Sequence, residues 1–147
     1  MLTLYSLPHS PYSARCRIAM YHKQLDIQLL PPPGGLRSPE YRVVVPTSKV
    51  PALVTESETI LESGAILEYL EDLFPDTPLR AQTPEKRARQ RGLISFLDFS
   101  IAPQIFVLFQ AVLGKLPMDK TQESIQTLQK HFGALEDMFT QDNRAQQ

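Results

Sequence analysis

At 147 residues and 42% apolar, the chain can bury a real core, as one domain or as two small ones. Its 15 basic and 16 acidic residues leave a net charge of −1, which excludes a broad electrostatic drive toward nucleic acid or membrane. The single cysteine, Cys16, excludes an internal disulfide framework and fits a reducing compartment, and His9, His22 and His131 have no metal-ligand spacing, so no metal is implied.

The opening Met1-Leu2-Thr3-Leu4-Tyr5 carries no basic leader region, and no apolar run approaches spanning length; the sequence predicts a soluble, cytoplasmic protein. Leu2-Thr3-Leu4-Tyr5 is short and β-prone, and Pro8 with Ser10-Pro11 closes it. Ser10 offers an N-cap hydroxyl, and Pro11 stands at the first helical position, where its missing N–H costs nothing. The spacing predicts a helix over 11–23 with Ala14, Ile18 and Tyr21 inward and Arg15, Arg17 and Lys23 reaching water. Residues 26–30 read as a second strand, ended by Pro31-Pro32-Pro33-Gly34-Gly35. Strand, helix and strand in this order form a βαβ unit with a parallel pair.

A polar, proline-rich passage runs on to Lys49. Pro51-Ala52-Leu53-Val54 and Thr59-Ile60-Leu61 then read as an antiparallel hairpin. Ser63 caps a further helix with Ile66, Leu70, Leu73 and Phe74 on one face and Glu68, Glu71 and Asp72 on the other. The order β-α-β, connection, β-β-α is that of a thioredoxin-like α/β domain, expected over 1–78.

No strand signal follows Pro78. Thr83-Pro84-Glu85 opens a long helical stretch carrying Leu93, Ile94, Leu97 and Ile101, kinked at Pro103 and broken by Gly114 and Pro117. Ile125, Leu128, Phe132, Leu135 and Phe139 then mark an amphipathic helix. Residues 79–147 are therefore expected to form an all-α domain whose two helices cannot hide their apolar faces from each other on all sides. The first domain, a second copy or a further segment must cover them.

Leu4-Tyr5-Ser6, the run from Ser10 to Met20, Lys49-Val50-Pro51-Ala52-Leu53, Glu62-Ser63-Gly64-Ala65-Ile66 and Tyr69-Leu70 together resemble a cytosolic glutathione transferase. The resemblance covers the whole α/β domain and the start of the helical one, and Ser-Pro-aromatic followed by Arg-x-Arg-Ile-Ala looks most like the serine-type classes, tau and zeta, and their bacterial relatives. It implies glutathione as co-substrate, a hydrophobic electrophile as second substrate, a detoxification role and a homodimer. Two alternatives share the fold: a non-catalytic binding module, and a glutathione-dependent isomerase of zeta type.

Ser10 falls where those classes carry the catalytic serine, with Ser13 and Tyr5 as secondary candidates. Val50-Pro51 would be a cis bond presenting its backbone to the cysteinyl unit. Ser63 would hold the γ-glutamyl carboxylate, Glu62 the ammonium and Lys49 the glycyl carboxylate. Each residue also has a plain structural reading: Ser10 and Ser63 as helix caps, Pro51 as the start of an edge strand, Glu62 as a charge near a helix start, Lys49 as a solvated lysine. Cys16, inside the first helix, reads as a buried filler rather than a nucleophile.

The physical chemistry of a thiol supports Ser10. A free thiol has a pKa of about 8.5, so only a few per cent is thiolate at neutral pH. A helix N-terminus contributes roughly 0.3–1 kcal/mol, up to about 2 when partly buried, and a hydroxyl donor adds roughly 1.5–3 kcal/mol. At about 1.4 kcal/mol per unit, the thiol pKa falls by one to three units.

The chain departs from the family pattern in two places. The approach to Val50-Pro51 usually reads Asn-Pro-x-Gly-Lys and here reads Val45-Pro46-Thr47-Ser48-Lys49. The chain also stops at Gln147, ahead of the later helices that the resemblance implies for the electrophile pocket, which makes the helical domain incomplete.

Overall fold

The computed structural model describes residues 1–144; residues 145–147, at the end of the expected helical domain, lie outside the described residues. The chain divides into two compact units, Met1–Arg80 and Ala81–Gln147.

The first unit is the expected thioredoxin-like arrangement with one addition. Its elements are β1 (Thr3–Tyr5), α1 (Pro11–His22), β2 (Gln28–Leu30), α2 (Pro39–Val44), β3 (Ala52–Val54), β4 (Thr59–Leu61) and α3 (Ser63–Leu73). The four strands form one mixed sheet in the order β2-β1-β3-β4. β1 and β2 are parallel, while β1–β3 and β3–β4 are antiparallel, as the βαβ unit and the hairpin predict. Helix α2 lies in the passage that the sequence leaves as a connection. Its signal is the same Ser-Pro cap that opens α1: Ser38 Oγ accepts from the Tyr41 N–H at 3.0 Å, ahead of Pro39.

Side chains alternate across β1, so its two neighbours serve two cores. Leu4 joins Cys16, Ala19, Met20, Leu53, Ile66 and Leu70 beneath α1 and α3, whereas Tyr5 packs with Tyr41, Val45 and Ala52 beside α2. Each fully buried leucine or isoleucine here contributes about 1.5–3 kcal/mol relative to an exposed one.

The buried face of α1 differs from the expected one. The helix turns Ser13, Cys16, Ala19 and Met20 inward and leaves Ile18 65% and Tyr21 68% exposed. The periodicity supports either stripe, and the one containing small residues lets α1 approach the sheet closely. Lys23 and Glu71, both expected in water, are buried and paired, with Lys23 Nζ 2.6 Å from Glu71 Oε1. Lys23 also donates to the carbonyls of Phe74 (2.9 Å) and Thr77 (2.7 Å), and Glu71 accepts the N–H groups of Leu79 (2.8 Å) and Arg80 (3.0 Å). This pair therefore fixes the segment that leaves α3.

In the second unit, α4 (Pro84–Phe96) is capped by Thr83, whose Oγ1 accepts the Lys86 N–H at 3.3 Å. It runs through a π-helical turn, Leu97–Ile101, into α5 (Ala102–Val112). The expected kink at Pro103 takes this form because Pro103 has no N–H for an i→i−4 bond, and the Ala102 N–H bonds to the Leu97 carbonyl five residues back. Gly114, at φ 68°, ends α5. Its N–H bonds to the Ala111 carbonyl and the Lys115 N–H to the Gln110 carbonyl, a Schellman motif that requires a left-handed residue.

Helix α6 (Met118–Arg144) packs against α5 through the buried Ser124, whose Oγ lies 2.7 Å from Gln104 Oε1. Leu128 is buried, but Phe99, Phe106, Val112, Phe132 and Phe139 remain exposed, as two helices alone dictate. Among the described residues, the helix Pro84–Val112 is long and apolar enough to cross a membrane by length and composition, its most apolar stretch reaching a mean hydropathy of 1.8. No apolar run in the sequence approaches spanning length, and Glu85, Lys86, Arg87, Arg89 and Arg91 charge the first two turns of this helix, so it qualifies on one stretch and not along its whole length.

Candidate functional site

Sheet register brings the three motifs to one end of the first unit. Tyr5, the last residue of β1, pairs with Ala52, the first of β3, and Ala52 pairs with Leu61, the last of β4. The loop after β1, the Val50-Pro51 step before β3 and the Glu62-Ser63 step after β4 therefore leave the sheet at the same end. Two helix N-termini start there, those of α1 and α3. The Cys16 thiol in α1 donates to the Ser63 carbonyl at 3.8 Å, tying the two helices together.

Ser10 is half-buried at the N-cap of α1, and its Oγ accepts the Ser13 N–H at 3.1 Å. Among the described residues its O–H proton meets no acceptor and stays available to donate. The loop leading to it is held by Arg17, which the sequence places in water. Arg17 donates to Ser6 Oγ (2.6 Å) and to the carbonyls of Leu7 (3.0 Å) and Pro8 (3.0 Å).

Val50-Pro51 is a cis peptide, as expected. Tyr41 stands behind it: its hydroxyl donates to the Lys49 carbonyl at 2.7 Å, and burial, with Tyr5 nearby, pushes that hydroxyl up to about 12. The Lys49 side chain is exposed.

Ser48, where the family pattern has glycine, adopts φ 53°, and its buried Oγ has no partner among the described residues. A left-handed non-glycine residue costs roughly 1–2 kcal/mol. Ser48→Gly is therefore expected to raise stability by about 1 kcal/mol, read as a higher urea midpoint at unchanged slope. A lower midpoint would refute the assignment of strain to this residue.

At α3 the structure shifts the cap by one residue. Glu62, not Ser63, is the N-cap residue; it is exposed at φ 65° and makes no side-chain cap bond. Ser63, buried, is the first helical residue, and the first backbone bond of the helix runs from the Ile66 N–H to the Glu62 carbonyl. By contrast α1, α2 and α4 are all capped by a hydroxyl. The N-terminus of α3 thus presents uncapped N–H groups and partial positive charge.

Of the two secondary candidates, Tyr5 lies apart from this group and Ser13 touches it through its backbone N–H on Ser10 Oγ. Tyr5 sits edge-to-face on Tyr41, ring centroids 5.4 Å apart, on the sheet face away from α1 and α3, because it is one residue out of phase with Leu4. Ser13 is fully buried, since small residues carry the inward stripe of α1, and its Oγ has no partner among the described residues. Cys16 is buried as expected; burial pushes its thiol up to about 12 against the opposing pull of Arg15 and Arg17, so it stays a thiol at neutral pH. No group of three or more His, Cys, Asp or Glu side chains among the described residues could hold a metal ion.

An α/β thioredoxin-like unit with a cis proline between two helix N-termini defines a class, and the comparisons with known proteins resolve it. Residues 4–78 match the family described as glutathione S-transferase, N-terminal domain. The chain belongs to the cytosolic glutathione transferase family. It is 40% identical over 108 residues to a maleylacetoacetate isomerase of Pseudomonas aeruginosa, covering 69% of this chain and 51% of that protein. It is 33% identical over 143 residues to a zeta-class glutathione S-transferase of Euphorbia esula, covering 94% of this chain and 64% of the relative. A glutathione transferase homologue from Sulfitobacter, solved with bound glutathione, shares the fold at TM-score 0.74 and 23% identity, over 93% of this chain and 67% of that one. The chain spans about half the length of the first curated relatives it matches.

Proposed function

We propose that the chain binds glutathione at the end of the sheet where α1 and α3 begin, and that Ser10 ionises the glutathione thiol. The observation that carries this reading is the uncapped N-terminus of α3, with Glu62 held at φ 65° beside it. A non-glycine residue in such a conformation costs roughly 1–3 kcal/mol, and a binding role gives it a reason to persist. The free N–H groups and the Ser63 hydroxyl suit the γ-glutamyl carboxylate, and the Glu62 carboxylate suits its ammonium. The Val50 backbone takes the cysteinyl unit, and the exposed Lys49 the glycyl carboxylate.

The thiolate then forms a C–S bond to an electrophilic carbon of a hydrophobic second substrate. In conjugation that bond remains. In the zeta-type reading, favoured by the 40% identity to a maleylacetoacetate isomerase, the bond breaks again and glutathione returns. Both need the same first step, thiol ionisation and proximity. A homodimer and a cytoplasmic setting go with either reading, and a detoxification role with the conjugating one.

Calorimetric titration with glutathione, with thiolate absorbance followed against pH, tests the common step. The expected result is binding with a thiol pKa one to three units below the free value of about 8.5. Binding with an unshifted thiol would sink activation. No binding would sink the reading and leave a non-catalytic module. With an electrophilic alkene as second substrate, glutathione consumed in step with product marks conjugation; glutathione regenerated marks isomerisation.

A further inference from the structure

We propose that Arg17 is the positioning residue for Ser10, an inference that rests on the thiol-activating role given to Ser10 above. The residues leading into α1 are poor at holding themselves. Pro8 and Pro11 have no N–H, so the turn into the helix is closed by the Ser10 N–H on the Leu7 carbonyl with few other backbone donors to hold it. Arg17 adds side-chain donors. It lies seven residues after Ser10, two turns along the same face of α1, and its guanidinium serves three consecutive residues: Ser6 Oγ at 2.6 Å, the Leu7 carbonyl at 3.0 Å and the Pro8 carbonyl at 3.0 Å.

Two further bonds make this a connected frame. Ser6, itself buried, donates its N–H to the Leu30 carbonyl at the end of β2 at 2.9 Å. Ser10 donates its N–H to the Leu7 carbonyl at 3.2 Å, the same oxygen that Arg17 holds. Arg17 and the Ser10 backbone thus share one acceptor. The planar fork, with donors on two terminal nitrogens, is what the arrangement needs; a lysine carries the charge but not the fork.

The test is a double-mutant cycle read on the pKa of bound glutathione. Arg17→Lys keeps the positive charge and removes the fork. It is expected to raise the pKa of the bound thiol by about 0.7–1 unit, in line with loss of one charge-assisted bond at about 1.4 kcal/mol per tenfold. The glutathione Kd is expected to move less than about threefold, because the groups given to recognition lie on other segments. In a Ser10→Ala background, Arg17→Lys should change the thiol pKa no further, since its route runs through Ser10. A purely structural arginine would move stability and leave the pKa alone, and a purely electrostatic one would survive as lysine; either result overturns the proposal. Additive pKa shifts in the cycle overturn it too.

If Ser10→Ala itself leaves the pKa unmoved, the activation reading falls and this inference with it. If Ser10→Ala moves the pKa and Arg17→Lys does not, only this inference falls. Should the arginine variants fail to fold, Ser6→Ala removes one acceptor of the fork and is expected to move the pKa in the same direction by a smaller amount; no movement overturns the proposal.

Discussion

Glu71→Gln is expected to destabilise the protein by about 3 kcal/mol, at the low end of the roughly 3–5 kcal/mol typical for breaking a buried ion pair. Glu71 and Lys23 have side chains 9% and 1% exposed, and the carboxylate answers one ammonium and two backbone N–H groups at once. The amide keeps the shape and one acceptor oxygen, but turns its NH2 toward a donor. Lys23 then stays buried without a counter-charge, received by neutral oxygens alone, the Phe74 and Thr77 carbonyls among them. The low end applies because those carbonyls remain.

The same residue sets an acid limb. Burial pushes the Glu71 carboxyl up, but the Lys23 bond, the Leu79 and Arg80 N–H groups and the Lys23 charge together outweigh it and hold the carboxyl below its ordinary range. A carboxyl depressed in the folded state contributes stability above its unfolded pKa of about 4.3, and that stability drains away as pH falls through the folded value. Urea midpoints across that range should fall steeply with acid in the parent and more gently in Glu71→Gln. A variant within about 0.5 kcal/mol of the parent at neutral pH would refute the pair's role. The double change Lys23→Met with Glu71→Leu should recover much of the loss, because no unpaired buried charge remains.

What could be read from the sequence follows from how local each signal is. The Ser10-Pro11 and Thr83-Pro84 caps, the Gly114 stop and the hairpin from 51 to 61 depend on a few adjacent residues, and the structure contains them all. Helix α2 has an equally local signal in Ser38-Pro39, but six residues give too little periodicity to declare a helix. The failures are tertiary. Which stripe of α1 turns inward depends on how closely the sheet approaches, and burial of Lys23 depends on Glu71, 48 positions away, being there to meet it. In the site, Val50-Pro51 and Glu62-Ser63 were legible as motifs. Arg17 was legible only as a member of the Arg-x-Arg-Ile-Ala run and Tyr41 not at all; their roles stayed hidden because each acts largely on backbone carbonyls, which leave no mark in the sequence.

Ser10→Ala is expected to raise the pKa of bound glutathione by one to two units, the equivalent of a lost hydroxyl–thiolate bond of roughly 1.5–3 kcal/mol at about 1.4 kcal/mol per unit. The thiolate fraction at neutral pH, and any rate that depends on it, should fall accordingly, approaching roughly tenfold per unit once the pKa lies above about 7. A part of the shift should survive, because the N-terminus of α1 keeps its partial charge after the hydroxyl is gone. Alanine also removes the cap on the Ser13 N–H, which costs about 0.5–2 kcal/mol of stability, so two effects arrive together.

Two further substitutions separate them. Ser10→Asp keeps a good cap acceptor but offers no proton and sets a carboxylate beside the thiolate; it should hold stability and raise the thiol pKa more than alanine does. Ser10→Thr keeps both the acceptor and the donor and should change neither strongly. A thiol pKa that rises only where, and as far as, stability falls across the three variants would mean that Ser10 acts only as a cap. A thiol pKa that stays put in Ser10→Ala would move the activation to the helix N-terminus alone.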